Sequence, residues 1–225
     1  QRQMCIRDRK QGLTLEKMWD KTEENISIPA TDMEHYAEHP DVIFVCVKGY
    51  SLQETIPFIK RIARKNTIVI PVLNIYGTGG KMQKELPDLL VTDGCIYVSA
   101  NIKEPGKLLQ HGQILHIVFG VRDKAEFRPE LKEIQKDLCD SHIDGTLSEN
   151  IRREALEKFS YVSPIGAAGL YYHATAADFQ KEGEARELFK TMIKEIAALA
   201  EAMGVPFQKD MAEVNLKILS LIHIS

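Results

Sequence analysis

Hydrophobic positions in the first two thirds of the chain fall into short runs that predict strands separated by helices. Asp41–Val47 (DVIFVCV) and Thr67–Leu73 (TIVIPVL) are unbroken apolar runs, typical of central parallel strands that are covered on both faces of a sheet. Between them, Ser51 and Glu54 form a Ser-x-x-Glu capping box, and isoleucines then recur at helical spacing. A strand, a helix and a second strand in this order predict a right-handed crossover in a layered α/β sheet.

Later sheet signals predict strands at a sheet edge. Pro71 has no N–H for a sheet ladder, which predicts a bulge or an edge position in its strand. Cys95–Ala100 and Gln113–Phe119 alternate like the two strands of a hairpin at a sheet edge, and the connection between them contains the turn signal Glu104-Pro105-Gly106.

After about residue 143 the pattern is helical. Ser148 to about Ser163 and Gly183–Met203 carry apolar residues at helical spacing, and Gly204 followed by Pro206 ends the second run. We therefore predict an α/β chain, with a parallel-sheet domain over residues 11–143 and an all-helical domain over residues 144–218. Residues 1–10 and 219–225 fit neither pattern, and we expect them to be non-native tips that resemble translated sequencing-adapter sequence.

Composition and charge favour a globular protein with a small-molecule partner. The 225 residues are 44% hydrophobic and 27% charged, which is enough apolar content for a core. Lys and Arg (29) nearly balance Asp and Glu (32), so the net charge of −3 gives no broad positive field for nucleic acid or an anionic membrane. No apolar run approaches the length of a membrane span and no signal segment is present, which predicts a cytoplasmic location.

Metal binding is not predicted. The cysteines form no CxxC pair, which argues against a zinc or dithiol motif. His35 and His39 stand at i, i+4 spacing, but no HExxH pattern and no third ligand accompanies them.

Two candidate binding residues directly follow the apolar runs, at the sheet edge where open α/β folds bind ligands. Lys48 precedes a helix that begins near Ser51, and the free N–H groups of a helix start can bind phosphate, so Ser51 is a further candidate cofactor-binding residue. Lys48 would suit an anionic cofactor, or it is a surface lysine in a turn. Asn74 could contact a nucleotide with its amide, or serve only the turn. Gly77–Gly80 with Lys81 lacks P-loop spacing, so we expect a flexible loop ahead of a helix.

Lys158 is the candidate catalytic residue of the helical half. At about 100° per residue it lies about 20° around the helix from Ile151, at the edge of an apolar stripe. Partial burial lowers the pKa of an ammonium and makes Lys158 a candidate proton donor to a developing alkoxide. The alternative is a lysine whose stem packs while its charged head reaches water.

Four segments follow one another along the chain: DVIFVCVKGYSL, IVIPVLNIYGTGG, EPGKLLQHGQILHIVFG and ENIRREALEKFSYV. In sequence and in order they resemble the ketopantoate reductase (2-dehydropantoate 2-reductase) family. The resemblance covers roughly Gly12 to Leu216. It implies an NADP(H)-binding Rossmann domain, here incomplete, a helical domain, and an active site in the cleft between them. It also implies hydride transfer from NADPH to a 2-oxo acid (2-dehydropantoate), giving the 2-hydroxy acid (pantoate) in pantothenate biosynthesis.

The same resemblance assigns roles to single residues. Lys48 is similar to the family's cofactor-contacting lysine, and Asn74 to the asparagine that touches the cofactor near its reacting carbon. Lys158 matches the lysine that polarises the carbonyl and delivers the proton. The family often has asparagines four and eight residues after that lysine, where this chain has Val162 and Gly166, which leaves the exact substrate open.

Several expectations complete this interpretation. The family's glycine-rich first strand and turn, and the serine and glutamate of its later helices, are expected outside this chain, so we expect its activity to be impaired. A homodimer is a possible assembly. The alternatives to 2-dehydropantoate reduction are a related reductase for another 2-oxo acid and a non-catalytic nucleotide-binding regulatory module.

Overall fold

The described part of the chain, residues 12–222 of a computed structural model, forms two sheets and six α-helices. The strands are β1 (Leu13–Lys17), β2 (Thr22–Ile26), β3 (Val42–Val45), β4 (Ile68–Pro71), β5 (Leu90–Val91), β6 (Asp93–Glu104), β7 (Lys107–Gly120) and β8 (Asp144–Leu147). The helices are α1 (Leu52–Ile62), α2 (Thr78–Glu85), α3 (Glu130–Asp140), α4 (Ile151–Tyr172), α5 (Glu184–Ala202) and α6 (Met211–Ile222).

The sheets confirm the predicted α/β class, with a Rossmann-like parallel sheet followed by helices. Strands β3, β4 and β5 are parallel and lie in that order, so β3, α1 and β4 form the predicted strand–helix–strand unit. The second sheet has the order β2-β1-β7-β6, with β8 paired to β7. Its β6–β7 hairpin is the predicted one, and it turns at Gly106, whose φ of 81° suits glycine.

Strand β4 is buried on both faces, as its apolar run predicts. Ile68 and Ile70 pack towards β7 and α3, whereas Val69 packs towards α1 and α2. Strand β3 pairs with β4 alone among the described residues, so it is an edge strand there and Phe44 is 38% exposed. The prediction that both runs are central strands therefore holds for β4 only.

Pro71 occupies neither an edge strand nor a bulge, so that prediction is wrong. It is the last residue of the central strand β4. The N–H groups of Ile68 and Val72 bond to Asp41 and Val45, so alternation turns the nitrogen of Pro71 away from β3. On that other side β5 has already ended at Val91, and no ladder hydrogen bond is lost.

The predicted capping box at Ser51 is also wrong. Ser51 precedes α1, but its side chain makes no capping hydrogen bond, and its φ of −96° and ψ of 1° differ from the extended geometry of a capping residue. A short 3₁₀ turn, Gly49–Ser51, leads into the helix, and the Ser51 N–H donates to the Lys48 carbonyl at 2.9 Å.

The predicted glycine loop is part of a helix. Gly77 adopts the left-handed region, with φ 75°, and α2 begins directly after it at Thr78. Gly79 and Gly80 therefore lie in the first turn of α2, where Gly79 packs closely against the start of β6. Close packing, rather than loop flexibility, explains glycine at Gly79.

Strand signals do not stop at residue 143. Asp144–Leu147 forms β8, which pairs in parallel with β7, and a four-residue strand of mixed polarity gives only a weak pattern. We keep the division into an α/β part and a helical part as a working description, with β8 on the α/β side.

Helix α4 runs well past its predicted end at Ser163. Pro164 removes one helical hydrogen bond, but it is buried on the same face as Ser160 and Ala168, so packing against the other helices holds the helix together. Its N-terminus is capped by Asn150, whose side chain accepts a hydrogen bond from the Arg153 N–H at 3.2 Å.

Residues 1–10, the predicted N-terminal tip, and residues 223–225 of the C-terminal tip lie outside the described residues. Residues 219–222 of the C-terminal tip belong to α6, and Leu219 is fully buried in the core of the helical part. Its carbonyl accepts a hydrogen bond from Gln180 at 2.7 Å. Leu219 therefore continues the apolar face of α6 rather than interrupting it.

None of the helices within residues 12–222 is long and apolar enough to cross a bilayer.

The two helix starts lead to a stability prediction. Replacing Asn150 with alanine removes the cap of α4 and should lower the free energy of unfolding by about 1 kcal/mol. The matched variant Ser51→Ala removes no capping bond and should change it by only about 0.3 kcal/mol. Urea unfolding of the two variants measures both values, and an equal loss would contradict the assigned caps.

Candidate functional site

The loops that follow β3 and β4 lie side by side at one edge of the parallel sheet. A Cβ atom at Gly49, in the loop after β3, would overlap the side chain of Ile75, in the loop after β4. Lys48 and Asn74 are the neighbours of these two residues, and both are exposed at the carboxyl ends of adjacent strands. This edge is where open α/β sheets bind their ligands.

Helix α4 lies across the second sheet and brings Lys158 to the same region. Cys95 of β6, Val118 of β7 and Ile151 of α4 form one buried cluster, which fixes the helix against this face of the sheet. The contact orients the next two turns of α4 along β6, with Lys158 towards the start of the hairpin.

A narrow crevice separates the loop after β4 from helix α4. Asn74 and Tyr76 line it on the loop side, Lys158 and Val162 on the helix side, and Cys95 of β6 lies between them. Its volume is about 10 Å³, near the minimum that holds one water molecule. A ring-sized ligand would therefore require the loop and the helix to move apart.

The predicted site residues are only partly brought together. Asn74 and Lys158 share this crevice, although they are 84 positions apart in the sequence. Lys48 and Ser51 lie at the same sheet edge, on the neighbouring loop, and do not line the crevice. The roles of all four residues remain proposals.

Lys158 is a half-buried ammonium beside an aromatic ring. Its Nζ lies 4.2 Å from the centre of the Tyr97 ring, and among the described residues it has no ion pair with a carboxylate. Burial is the main effect on Lys158 and lowers its pKa from the ordinary value, while the nearby Cys95 acts in the opposite direction. The chain thus holds a desolvated amine at the crevice, as a general acid requires.

The sequence pattern did not identify Cys95 and Tyr97 as residues of the site. Both are on one face of β6, two residues apart, and burial raises the pKa of the Cys95 thiol to about 11. Burial also raises the pKa of the Tyr97 hydroxyl. Both groups are therefore neutral at physiological pH. The alternation of β6 was visible in the sequence, but the packing of α4 on this face was not.

The residues at the sheet edge fit an anionic nucleotide cofactor. Within residues 12–222, the Lys48 ammonium has no ion pair and the Asn74 amide makes no hydrogen bond, so both are free to bind a ligand. Because the Ser51 side chain does not cap α1, it leaves N–H groups of the first turn without a side-chain partner.

A larger cavity lies elsewhere and contains none of the predicted residues. Its volume is about 820 Å³, and it lies around the N-terminus of α4, near Arg122, Lys132 and Ser148. Asn150 caps the helix there, and Ser148 accepts a hydrogen bond from the Asn150 N–H at 3.0 Å. We assign the site to the crevice, where the candidate proton donor lies, and not to this larger space.

His35 and His39 are directed to separate partners. His35 Nδ1 lies 2.6 Å from an Asp32 carboxylate oxygen, and His39 Nδ1 lies 2.8 Å from the Ile62 carbonyl oxygen. Each imidazole is thus explained by a local contact. Among residues 12–222 no group of three or more His, Cys, Asp and Glu side chains could hold a metal ion.

Comparison with known proteins identifies the family of the chain. The family model described as "Ketopantoate reductase PanE/ApbA" matches residues 3–124, and the model of its C-terminal part matches residues 150–221. A curated 2-dehydropantoate 2-reductase from Aquifex aeolicus (strain VF5) is 20% identical over 194 residues, which are 86% of this chain and 62% of the relative. The chain spans about three fifths of the length of the curated relatives that it matches.

Solved structures share the fold at low sequence identity. D-mandelate dehydrogenase with NADH and anilino(oxo)acetate has a TM-score of 0.81 at 15% identity, over 96% of this chain and 68% of that one. A dimeric ketopantoate reductase from Staphylococcus aureus has a TM-score of 0.76 at 20% identity, over 92% of this chain and 68% of that one. The first family model alone matches more than half of the residues of this chain. The chain therefore belongs to the ketopantoate reductase (PanE/ApbA) family.

Proposed function

We propose that this protein is an NADPH-dependent 2-oxo acid reductase. One observation carries the proposal: Asn74, at the carboxyl edge of the parallel sheet, and Lys158, on the first helix of the helical part, line one crevice. This is the arrangement that hydride transfer needs, with a cofactor-binding edge facing a proton donor. Membership of the ketopantoate reductase family supports it.

The chain's own residues would bind the cofactor and move one proton. Lys48 would pair with its phosphate charge, the helix start at Ser51 would donate N–H groups, and Asn74 would orient it at the crevice. A bound nicotinamide cofactor supplies the hydride for the carbonyl carbon of the substrate. Lys158 Nζ would donate a proton to the carbonyl oxygen, become a neutral amine, and regain a proton from water.

The proposed substrate is 2-dehydropantoate, with pantoate as the product in pantothenate biosynthesis. Another 2-oxo acid is the second candidate, because Val162 presents an apolar side chain to the crevice where the family often has an amide. Gly166, the second such position, leaves open space beside the helix. The likeness to D-mandelate dehydrogenase also favours testing substrates with bulky apolar groups.

Cofactor preference, assembly and location are also proposed. We propose NADP(H) rather than NAD(H), although the mandelate dehydrogenase structure contains NADH. A homodimer is proposed on the likeness to the dimeric Staphylococcus aureus enzyme. The cytoplasmic location and the impaired activity of the 225-residue chain also remain predictions.

Cofactor binding and turnover test the function directly. The 225-residue chain and the full-length gene product should be titrated with NADPH and with NADH by fluorescence, and NADPH oxidation should then be followed with a panel of 2-oxo acids. We expect the full-length product to prefer NADPH and to reduce at least one 2-oxo acid. If the full-length product binds cofactor but turns over none of these acids, a regulatory module is favoured, and if it binds neither cofactor, both functions are rejected.

A further inference from the structure

Tyr97 is the nearest partner of the Lys158 ammonium. The nitrogen lies 4.2 Å from the ring centre, within the range of a cation–π interaction. The contact joins two parts of the chain that are distant in sequence, β6 of the second sheet and the middle of α4. It also lies next to the crevice that Lys158 lines with Asn74.

We propose that Tyr97 is a positioning residue, whose ring holds the Lys158 ammonium at the crevice in place of a carboxylate counterion. The inference rests on the proposed function only for the use that Lys158 is given there. The contact itself stands on the geometry of β6 and α4.

An aromatic ring does for this lysine what a carboxylate could not. A carboxylate at hydrogen-bond distance would occupy N–H donors of the ammonium and cancel the positive charge that attracts a 2-oxo acid. The face of a tyrosine ring attracts the ammonium through its quadrupole and takes up none of these donors in a strong hydrogen bond. The ring therefore favours the charged form of Lys158, localises it and leaves its N–H groups able to donate.

The ring of Tyr97 is itself fixed by its neighbours in the sheet. Tyr97 pairs across the strands with His116, whose ring stacks on it with centres 5.4 Å apart and planes 23° apart. His116 pairs in turn with Asp144 of β8, 3.7 Å from its Nδ1, and lies 3.1 Å from the Thr146 hydroxyl. This row of side chains limits the movement of the ring beneath the lysine.

Few other charged or titratable groups surround the ammonium. Cys95 of β6 lies near Lys158, but burial raises the pKa of its thiol to about 11, so at physiological pH it is neutral and gives the ammonium no counter-charge. Glu154 and Glu157 of α4 act on Cys95 and Tyr97, and neither forms an ion pair with Lys158 among the described residues. The stabilisation of the charged amine therefore falls mainly to the Tyr97 ring.

The test is a lysine titration that needs neither cofactor nor substrate. Lysines labelled with ¹³C at Cε are followed by NMR in the 225-residue chain, and the Lys158 signal is assigned with Lys158→Gln. A lysine above a ring should show an upfield ring-current shift of its ε protons. Tyr97→Leu should abolish this shift and lower the pKa of Lys158 by about 0.5–1 unit, because burial remains while the stabilising ring is lost. Tyr97→Phe should retain the shift and keep the pKa within about 0.3 units.

A tyrosine on the same helix provides the control for general loosening. Tyr161 is half-buried and packs against Phe189, away from the crevice, so Tyr161→Leu should leave the Lys158 signal unchanged. A wild-type Lys158 signal without a ring-current shift would overturn the proposal even if Tyr97→Leu failed to fold. An equal or higher Lys158 pKa in a folded Tyr97→Leu would also overturn it. A failure of 2-oxo acid reduction alone would leave these results intact and would count against the proposed function only.

Discussion

Replacement of Lys158 by alanine in the full-length gene product should lower kcat for 2-oxo acid reduction by about 10²–10⁴-fold, the usual contribution of a general acid. The NADPH dissociation constant should change less than about threefold, because Lys158 acts on the carbonyl oxygen and lies away from the proposed phosphate contacts. Single-turnover kinetics and a fluorescence titration measure the two quantities separately. Loss of both in equal proportion would indicate a structural role instead.

Two companion variants separate charge from proton donation. Lys158→Arg keeps a positive charge at the crevice, but a guanidinium does not release its proton near neutral pH, so turnover should fall almost as far as in Lys158→Ala. Lys194→Ala removes an exposed lysine of α5 that does not line the crevice, and should leave turnover unchanged. A fully active Lys158→Arg enzyme would show that charge alone suffices.

The pH dependence has a definite sign. The charged form of Lys158 is the proton donor, and it predominates below the pKa of Lys158 in the folded protein. Burial lowers that pKa, so kcat/KM should fall with rising pH, beginning below the range in which an exposed lysine titrates. A rate that rises through the same range would contradict the assignment of Lys158 as the acid.

Elements with a strong and regular pattern could be predicted from the sequence. The apolar run of β4, the helical spacing of α1 and the turn of the β6–β7 hairpin each reflect local chemistry, and each was found close to its predicted place. The elements that failed depend on contacts with distant residues. Helix α4 continues through Pro164 because the helical core packs against it, and β8 exists because β7 offers it a partner.

The candidate site shows the same division. Asn74 and Lys158 could be chosen because each has a sequence position with a chemical meaning, after a buried strand or beside an apolar stripe. The sequence gives no distance between β6 and α4, so the contact of Tyr97 with Lys158 could not be predicted. It also gives no distance between the loops after β3 and β4. The structure shows that they are in contact, because the side chain of Ile75 lies against Gly49.

Gly79 shows how closely the sheet and α2 are packed beside the site. The N–H groups of Gly79 and Gly80 and the guanidinium of Arg122, 3.7 Å away, all favour the charged form of the Asp93 carboxyl group. Burial nevertheless raises the pKa of Asp93, which is 8% exposed. A Cβ atom at Gly79 would overlap the Thr92 carbonyl oxygen and the Asp93 side chain, so no methyl group fits between α2 and β6.

The variant Gly79→Ala should therefore lower the free energy of unfolding by about 3 kcal/mol, because the Thr92 carbonyl and the buried Asp93 side chain both have to move. The next residue gives a matched control. A Cβ atom at Gly80 would come no closer than 3.9 Å to Arg122, so Gly80→Ala should stabilise α2 by about 0.5–1 kcal/mol through helix propensity. Urea unfolding of the pair compares the same substitution at neighbouring positions. Equal stability of the two variants would show that β6 yields to α2 at little cost, and that close packing does not fix the loop which carries Asn74.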